Sequence, residues 1–507
     1  MTIKVWRNKL NDTWLKTITV SVCLVLCVLL YSSTTHYSPM LRHYILQEDQ
    51  QDSYQGLWPA AKEGSAAALD ALAKLAAINS DFFWLKKAAS LQNLRAQLAL
   101  AELSQGKDKV FWWRQAAING HAPSQFELSL LVDNTKQRIR YLEQAAMNEH
   151  TPAIIALSKY YYENGDPNNA LRWLRKATEF DESSTFKLAR MLWKKGYKGQ
   201  AELAFISASA SNSIALEYVK TLNTISPKKL LVLINKTLPI PEQCAQQLQF
   251  VATSLDTAVQ AQRFKYAFEQ DQRLGALPIC IKPVVWLAPN ELRCELVGNR
   301  KECDLSAVAK QTFMPSYTHL VFFLDEGKAY VHNGAMYLDE ADTYSVFVHE
   351  LAHFVGFVDE YAVSIGLAQQ YCYQTNAPNL LLSDNTDLYQ QETFQMWQVY
   401  YKELMTAQAI TLSEAVDENN AGEGAMSSLK IGASRTCASL NLKTFKPSSQ
   451  LTFMEYHDTA NIPPIYLLMW KDLLEQNHHG VAVSALFESN AKRVNNLNAT
   501  QYWSSFH

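Results

Sequence analysis

His349, Glu350 and His353 stand in the order His-Glu-x-x-His. Histidines at i and i+4 of a helix project from one face a turn apart, so both imidazoles can reach a single ion. Glu350, between them in sequence, can meet a water on that ion from the side and take its proton as general base. Two histidines, a further carboxylate and one open position are what a catalytic zinc needs. The chemistry these residues imply is zinc-dependent hydrolysis, above all of peptide bonds. The five-residue pattern also arises by chance, so its surroundings must support it. Gly356 follows three residues after His353, where a helix must end for the chain to turn back.

The elements that must hold this helix are legible nearby. Asp342 is a fitting N-cap for a helix that begins at Thr343. Before it, Val284–Leu287, Leu320–Leu324, Lys328–Val331 and Ala335–Leu338 read as strands, with turns at Asp325-Glu326-Gly327 and Asn333-Gly334. A helix from about Ile465 to Glu475 would close the domain.

Read whole, His349-Glu-x-x-His353-x-x-Gly356-x-x-Asp359 resembles the extended metzincin signature, with Asp359 in place of the usual third histidine. Asp359-Glu360-Tyr361 resembles the segment that follows the zinc helix in IgA-peptidase-like metzincins. The resemblance runs from about Pro283 to Glu475. It implies Zn2+ as cofactor, with His349, His353 and Asp359 as ligands and Glu360 as the alternative third ligand. A plainer reading of Glu360 and Tyr361 is support around the site. The resemblance also implies a methionine turn under the metal. Met426 and Met454 are the candidates, and Met454 fits better, in Phe445-Lys-Pro-Ser-Ser-Gln-Leu-Thr-Phe-Met454 followed by Pro463-Pro464. Tyr456 then matches a tyrosine that contacts metal or the developing oxyanion, set against the plainer reading of a buried core tyrosine. His319, His332 and His457 read as surface or packing residues, although His332 falls where such domains hold an edge strand for substrate. His478 and His479 read as solvated. The resemblance does not carry immunoglobulin over as substrate.

The first half of the chain has another texture. Trp84-Leu-Lys-Lys-Ala-Ala89, Trp112-Trp-Arg-Gln-Ala-Ala117, Tyr141-Leu-Glu-Gln-Ala-Ala146 and Trp173-Leu-Arg-Lys-Ala-Thr178 repeat one phrase, with Phe205–Ala210 a weaker copy. Its paired small residues begin at 88, 116, 145, 177 and 209, in steps of 28, 29, 32 and 32. A large and a small side chain four apart share a helix face, and a period of this size means a solenoid. The phrases resemble TPR-like repeats of the Sel type, which implies a scaffold for a protein partner. The plainer reading is a spacer.

Lys4, Arg7, Lys9 and Lys16 precede the apolar run Ile18–Leu30. With no clear cleavage site after it, this reads as an uncleaved anchor rather than a signal peptide. The basic flank keeps the N-terminus cytoplasmic and the catalytic domain periplasmic or extracellular, with one pass through the inner or plasma membrane. Beyond Cys23 and Cys27 in that run, the six cysteines fall in the second half, an even set that suits disulfides. Proximity suggests Cys294 with Cys303, and Cys372 with Cys437. The net charge of -3, from 46 basic and 49 acidic residues, gives no reason to expect nucleic acid.

The expected fold class is multidomain: an N-terminal membrane anchor, an all-α helical-repeat solenoid, then an α+β metzincin-like zinc peptidase domain. Residues 1–16 read as a cytoplasmic tail, 17–31 as the signal anchor and 32–56 as a linker. Residues 57–225 read as Sel-type repeats, 226–282 as a helical connector, 283–480 as the peptidase domain and 481–507 as a C-terminal tail. The function expected is a membrane-anchored, outward-facing zinc metallopeptidase acting on protein or peptide. Its alternatives are a non-enzymatic envelope adaptor working through the repeats, and a zinc amidase acting on cell-wall peptides.

Overall fold

The computed structural model describes residues 54–233, 244–288, 290–374, 376–383, 388–414, 430–476 and 480–506. The anchor segment, Cys23, Cys27, Met426, His478 and His479 lie outside the described residues. Among the described residues no helix is long and apolar enough to cross a membrane. The chain divides into two compact units, up to Asn212 and from Ser213 onward.

The first unit is a run of short antiparallel-type helices from Tyr54–Lys62 to Lys198–Ala208. The repeated phrase is what lets them stack. Ala88, Ala116, Ala145 and Ala177 are all fully buried, so neighbouring backbones approach closely there. The asparagines after the phrase tie each repeat to the one before. Asn119 Nδ2 donates to the Gln92 carbonyl (3.1 Å) and to Gln97 Oε1 (2.9 Å). Asn148 Nδ2 donates to the Gly120 carbonyl (3.1 Å) and to Gln125 Oε1 (3.3 Å). Both bridges span one repeat length, so polar groups at the turns are satisfied in register.

The second unit is α+β. It opens with α1 (Ser213–Thr224), β1 (Gln246–Ala252), α2 (Leu255–Gln270), β2 (Ile279–Ile281) and β3 (Val285–Trp286). A hairpin of β4 (Cys294–Val297) and β5 (Arg300–Cys303) follows, then β6 (His319–Phe323), β7 (Tyr330–His332) and β8 (Ala335–Leu338). The main sheet runs β2-β1-β6-β8-β7, with β3 also on β1. All its pairs are parallel except β7 with β8, so β7 is an antiparallel edge. The β7–β8 turn is Asn333-Gly334, at φ 50° and 75°, as a tight hairpin demands.

Next come α3 (Tyr344–His353), α4 (Ile365–Tyr373), β9 (Leu381–Leu382) and α5 (Leu388–Glu414). They are followed by β10 (Gly432–Ser434), β11 (Thr444–Lys446), α6 (Pro464–Glu475), α7 (Val483–Arg493) and α8 (Leu497–Ser504). Strands β10, β11 and β9 form a small antiparallel sheet. Alternation along β6 divides the main core. Phe323 faces Phe250 and Phe264, and both of those meet Phe347 of α3, with ring centroids 5.5 and 5.9 Å away. Leu320 and Phe322 share a separate core with Phe487 and Trp503.

Three expectations need correction. The segment 226–282 is not a helical connector, because β1 is an inner strand of the sheet. Residues 481–507 are not a loose tail, because α7 and α8 cover one face of that sheet. Gly334 has no room for a side chain there, since an added Cβ would stand 2.2 Å from the Ala482 carbonyl carbon. The N-cap of α3 is Thr343, whose hydroxyl accepts from Val346 N–H, whereas Asp342 accepts from Asp339 N–H.

Candidate metal centre

The helix α3 is anchored by Phe347 in the aromatic core, and His349 and His353, one turn apart, share another face of it. Full burial of the Phe347 ring contributes about 2–3 kcal/mol toward holding the helix in place. Beyond His353 the chain turns through Gly356, at φ 90°, a backbone conformation natural to glycine. Residues 357–360 then run back past the end of the helix. Glu360 N–H donates to the Met454 carbonyl at 3.0 Å, which pins this return to the turn at 452–456.

Each imidazole is oriented from behind. His349 Nδ1 donates to the Phe453 carbonyl (2.8 Å) and His353 Nδ1 to the Phe357 carbonyl (2.7 Å). Both Nε2 atoms therefore face inward as acceptors for a metal. Asp359 Oδ1 lies 3.1 Å from His349 Nε2 and 3.5 Å from His353 Nε2. Tetrahedral zinc with bonds of 2.0–2.1 Å places its ligands about 3.3 Å apart. The donor set His349, His353 and Asp359 thus fits zinc in both chemistry and spacing. Glu350 stands farther off, its Oε2 4.0 Å from His353 Nε2. Its ligand atom and those of the two histidines still fall within 4.8 Å of one another. Proximity alone would group Glu350 with the histidines. Asp359 approaches both Nε2 atoms more closely than Glu350 approaches His353.

The electrostatics agree. Burial raises the Asp359 carboxyl, but hydrogen bonds and charge from His349 and His353 outweigh it and hold the group well below the usual range. Burial lowers His353, yet Asp359 and Glu350 overcome this and lift it to about 9. Any metal must displace that proton. Burial pushes Glu350 up, and the two imidazoles only partly offset it.

Glu360 has a different fate. It is fully buried, and its carboxylate accepts from Asn379 Nδ2 (2.9 Å), the Tyr466 hydroxyl (2.5 Å) and the Thr452 hydroxyl. Lys446 Nζ stands 3.8 Å away. These partners occupy both oxygens, so Glu360 ties the return strand to α6 and β11 rather than facing the metal position. Met454 is fully buried in the 452–456 turn, next to the Phe453 carbonyl that orients His349. Tyr456 is 52% exposed, which excludes the core-tyrosine reading. Its ring stacks on His457, whose own ring centroid lies 6.3 Å from that of His349. His319 is a packing residue, its ring 4.1 Å from Phe354. His332 is exposed on the edge strand β7, with Asn333 Nδ2 2.9 Å from its Nε2.

Two tyrosines join the site that sequence reasoning passed over or left general. Tyr361 follows Glu360 on the return strand, and burial, then the Asp359 charge, raises its hydroxyl. Tyr371, on α4, is half-buried and near enough to Asp359 and Glu350 for both charges to raise it further, after burial itself. No spacing rule connects Tyr371 to the motif. Its place is set by the disulfide from the next residue, Cys372, to Cys437. Cys294 bonds to Cys303 and Cys244 to Cys280, so the two pairings expected from proximity are present with a third.

No protein-family model matches the chain, and no curated protein matches it. Among solved structures, one similar chain is a protective antigen of uropathogenic Escherichia coli strains displaying an SLR fold. It is 16% identical with a TM-score of 0.26, over 36% of this chain and 47% of that one. Another is a Sel1 repeat protein from Oxalobacter formigenes, 19% identical with a TM-score of 0.22, over 39% of this chain and 86% of that one. This chain thus spans about half the length of the first. This chain itself has a run of helices followed by an α+β C-terminal part.

Proposed function

We propose that the second unit is a zinc-dependent peptidase of metzincin type. The observation that carries this reading is the convergence of His349 Nε2, His353 Nε2 and Asp359 Oδ1 at ligand spacing, with Glu350 beside them. Zinc, when bound, would supply Lewis acidity toward water and a substrate carbonyl. Glu350 then takes the proton from the attacking water and passes it to the leaving amine. Tyr456 and Tyr371 are the candidates to offer a hydroxyl to the carbonyl oxygen as charge builds there. The turn at Met454 supports the floor under His349. The three disulfides fit an oxidising compartment, in keeping with an anchored chain whose catalytic unit faces the periplasm or exterior.

The test is metal analysis of purified protein with peptide cleavage as readout. Wild type should hold about one zinc per chain. Glu350→Ala should keep the zinc and lose activity by at least about 10²-fold. Tyr371→Phe should keep the zinc and lower kcat by about 10²-fold with KM little changed. Purified wild type that takes up no zinc would sink the reading.

A second reading, an adaptor acting through the repeats, is favoured by one observation. Ile118 and Met147 each follow a buried Ala-Ala pair and are 71% and 62% exposed, so two successive repeats present an apolar side chain at the same position of the phrase. Under that reading partner binding would survive Glu350→Ala unchanged.

A further inference from the structure

The first helices of the repeat unit gather aromatic side chains at one place. Tyr54 stacks on Trp84 at 5.3 Å between ring centroids, and Trp58 and Phe83 meet the same indole at 6.0 and 5.1 Å. Lys87 Nζ stands 5.5 Å from the Trp58 ring centroid and 5.7 Å from that of Phe83. The cluster therefore joins the helix Tyr54–Lys62 to the helix Phe82–Ser90. Its outer part is open to solvent. Phe82 is 43% and Phe83 59% exposed, and Lys86 and Lys87 are exposed one turn farther on. Residues four apart share a helix face, so Phe82 with Lys86 and Phe83 with Lys87 make one strip of rings and ammonium groups.

Core packing does not account for that strip. The inner face of the same helix is supplied by Leu85, Ala88 and Ala89, which are buried. Nearby acids are engaged. Asp81 caps the helix, accepting from the Phe83 and Trp84 N–H groups at 3.0 and 3.2 Å. Asp70 pairs with Arg95 at 3.0 Å. Across the first three helices and their turns, that leaves Glu63 against Lys62, Lys74, Lys86 and Lys87.

Half-buried indoles beside exposed rings and lysines suit the boundary between lipid headgroups and acyl chains. There the rings bury their apolar part and the ammonium groups meet phosphate. The sequence brings such a boundary within reach. Residues 32–53 join this end of the unit to the apolar run Ile18–Leu30, and at full extension they span at most about 75 Å. Tethering at that range raises the effective concentration enough for a weak contact to hold.

We propose that Phe82, Phe83, Lys86 and Lys87, together with Trp58, rest on the headgroup surface of a bilayer carrying anionic lipid, so that the first repeat lies on the membrane that holds the anchor. The inference rests on the anchored reading of residues 18–30 and is independent of the zinc chemistry.

The test reconstitutes the full-length protein in vesicles of phosphatidylcholine and phosphatidylglycerol containing a lipid with a photoreactive group at headgroup level. Labelled sites are mapped by mass spectrometry. Wild type should be labelled beside the apolar run and, several-fold above the later helices, within 54–58 and 82–87. Phe82→Ser with Phe83→Ser, and separately Lys86→Glu with Lys87→Glu, should each lower the labelling at 54–58 and 82–87 several-fold. Labelling beside the apolar run and the melting temperature should stay as in wild type, since all four positions are exposed. Wild type labelled beside the apolar run but not at 82–87, or labelled equally there in both variants, overturns the proposal and leaves the anchor standing. Label at neither place, with the protein left in solution, overturns both. Crosslinks between two copies through the helix Phe82–Ser90, without lipid label there, assign this face to a second copy and overturn the proposal too.

Discussion

Asp359 and Glu360 are adjacent carboxylates with opposite environments, and the contrast gives a direct test. Asp359 faces two imidazoles, so Asp359→Ala should fold normally and lose tight zinc binding by one to two orders of magnitude or more, read by competition with a chelator. Glu360 has no such contact. Removing it leaves Asn379 and the Thr452 and Tyr466 hydroxyls buried without their shared acceptor, while Lys446 keeps Glu455 and the Gln450 carbonyl. Glu360→Ala should therefore cost about 1–3 kcal/mol of stability, seen in denaturant unfolding. The remaining folded fraction should still bind zinc. A Glu360→Ala protein of wild-type stability that no longer binds zinc would reverse the two roles. Sequence alone could place both residues at the site but not choose between them. In an extended segment successive side chains point to opposite sides, and only the packed partners reveal which side is which. His349, Glu350 and His353 were legible because helix periodicity decides their direction by itself. Tyr371 was not, since it arrives through tertiary contact.

At the level of elements, the Cys372–Cys437 disulfide is the brace behind the centre. It joins α4, which carries Tyr371, to the segment where the Thr436 hydroxyl donates to the Asp359 carbonyl at 2.6 Å. The bond spans 65 residues of sequence, so replacing both cysteines by serine should cost about 2–5 kcal/mol and lower the melting temperature measurably. Zinc affinity should fall with it, because the backbone around Asp359 loses its support. A double serine variant with unchanged melting temperature and zinc affinity would show that the brace is idle. The strands before the zinc helix could be read from their apolar runs and turn residues. Strand β1 could not. Gln246-Gln-Leu-Gln-Phe-Val-Ala252 has three glutamines and no alternation, yet all seven residues are buried. A parallel inner strand is covered on both faces, which erases the two-residue rhythm that marks a half-exposed strand. Its glutamines are tolerated because they find partners, as when Gln249 Nε2 donates to the Phe250 and Pro283 carbonyls at 3.0 and 2.9 Å.

On the scale of the whole molecule, these segments decide where the second unit begins and ends. A fragment of residues 283–480 contains every proposed metal ligand, but it lacks β1, β2 and α2. Strand β6 would lose β1, one of its two parallel partners, and present an open apolar edge, a template for aggregation. Phe250 and Phe264, which hold Phe347 and so the zinc helix, would be gone. The cut at 480 also strips Phe487 and Trp503 from the opposite face of the sheet. Loss of large aromatics from a packed core costs about 3–5 kcal/mol each, and a domain of ordinary stability cannot absorb several such losses. The fragment 283–480 should therefore be insoluble or molten, without a cooperative unfolding transition. The fragment 213–507 keeps both faces of the sheet and all three disulfides, and it should unfold cooperatively and take up zinc. Cooperative unfolding of the shorter fragment would mean that the sheet's first strands and the last two helices are additions to a complete peptidase fold rather than part of it.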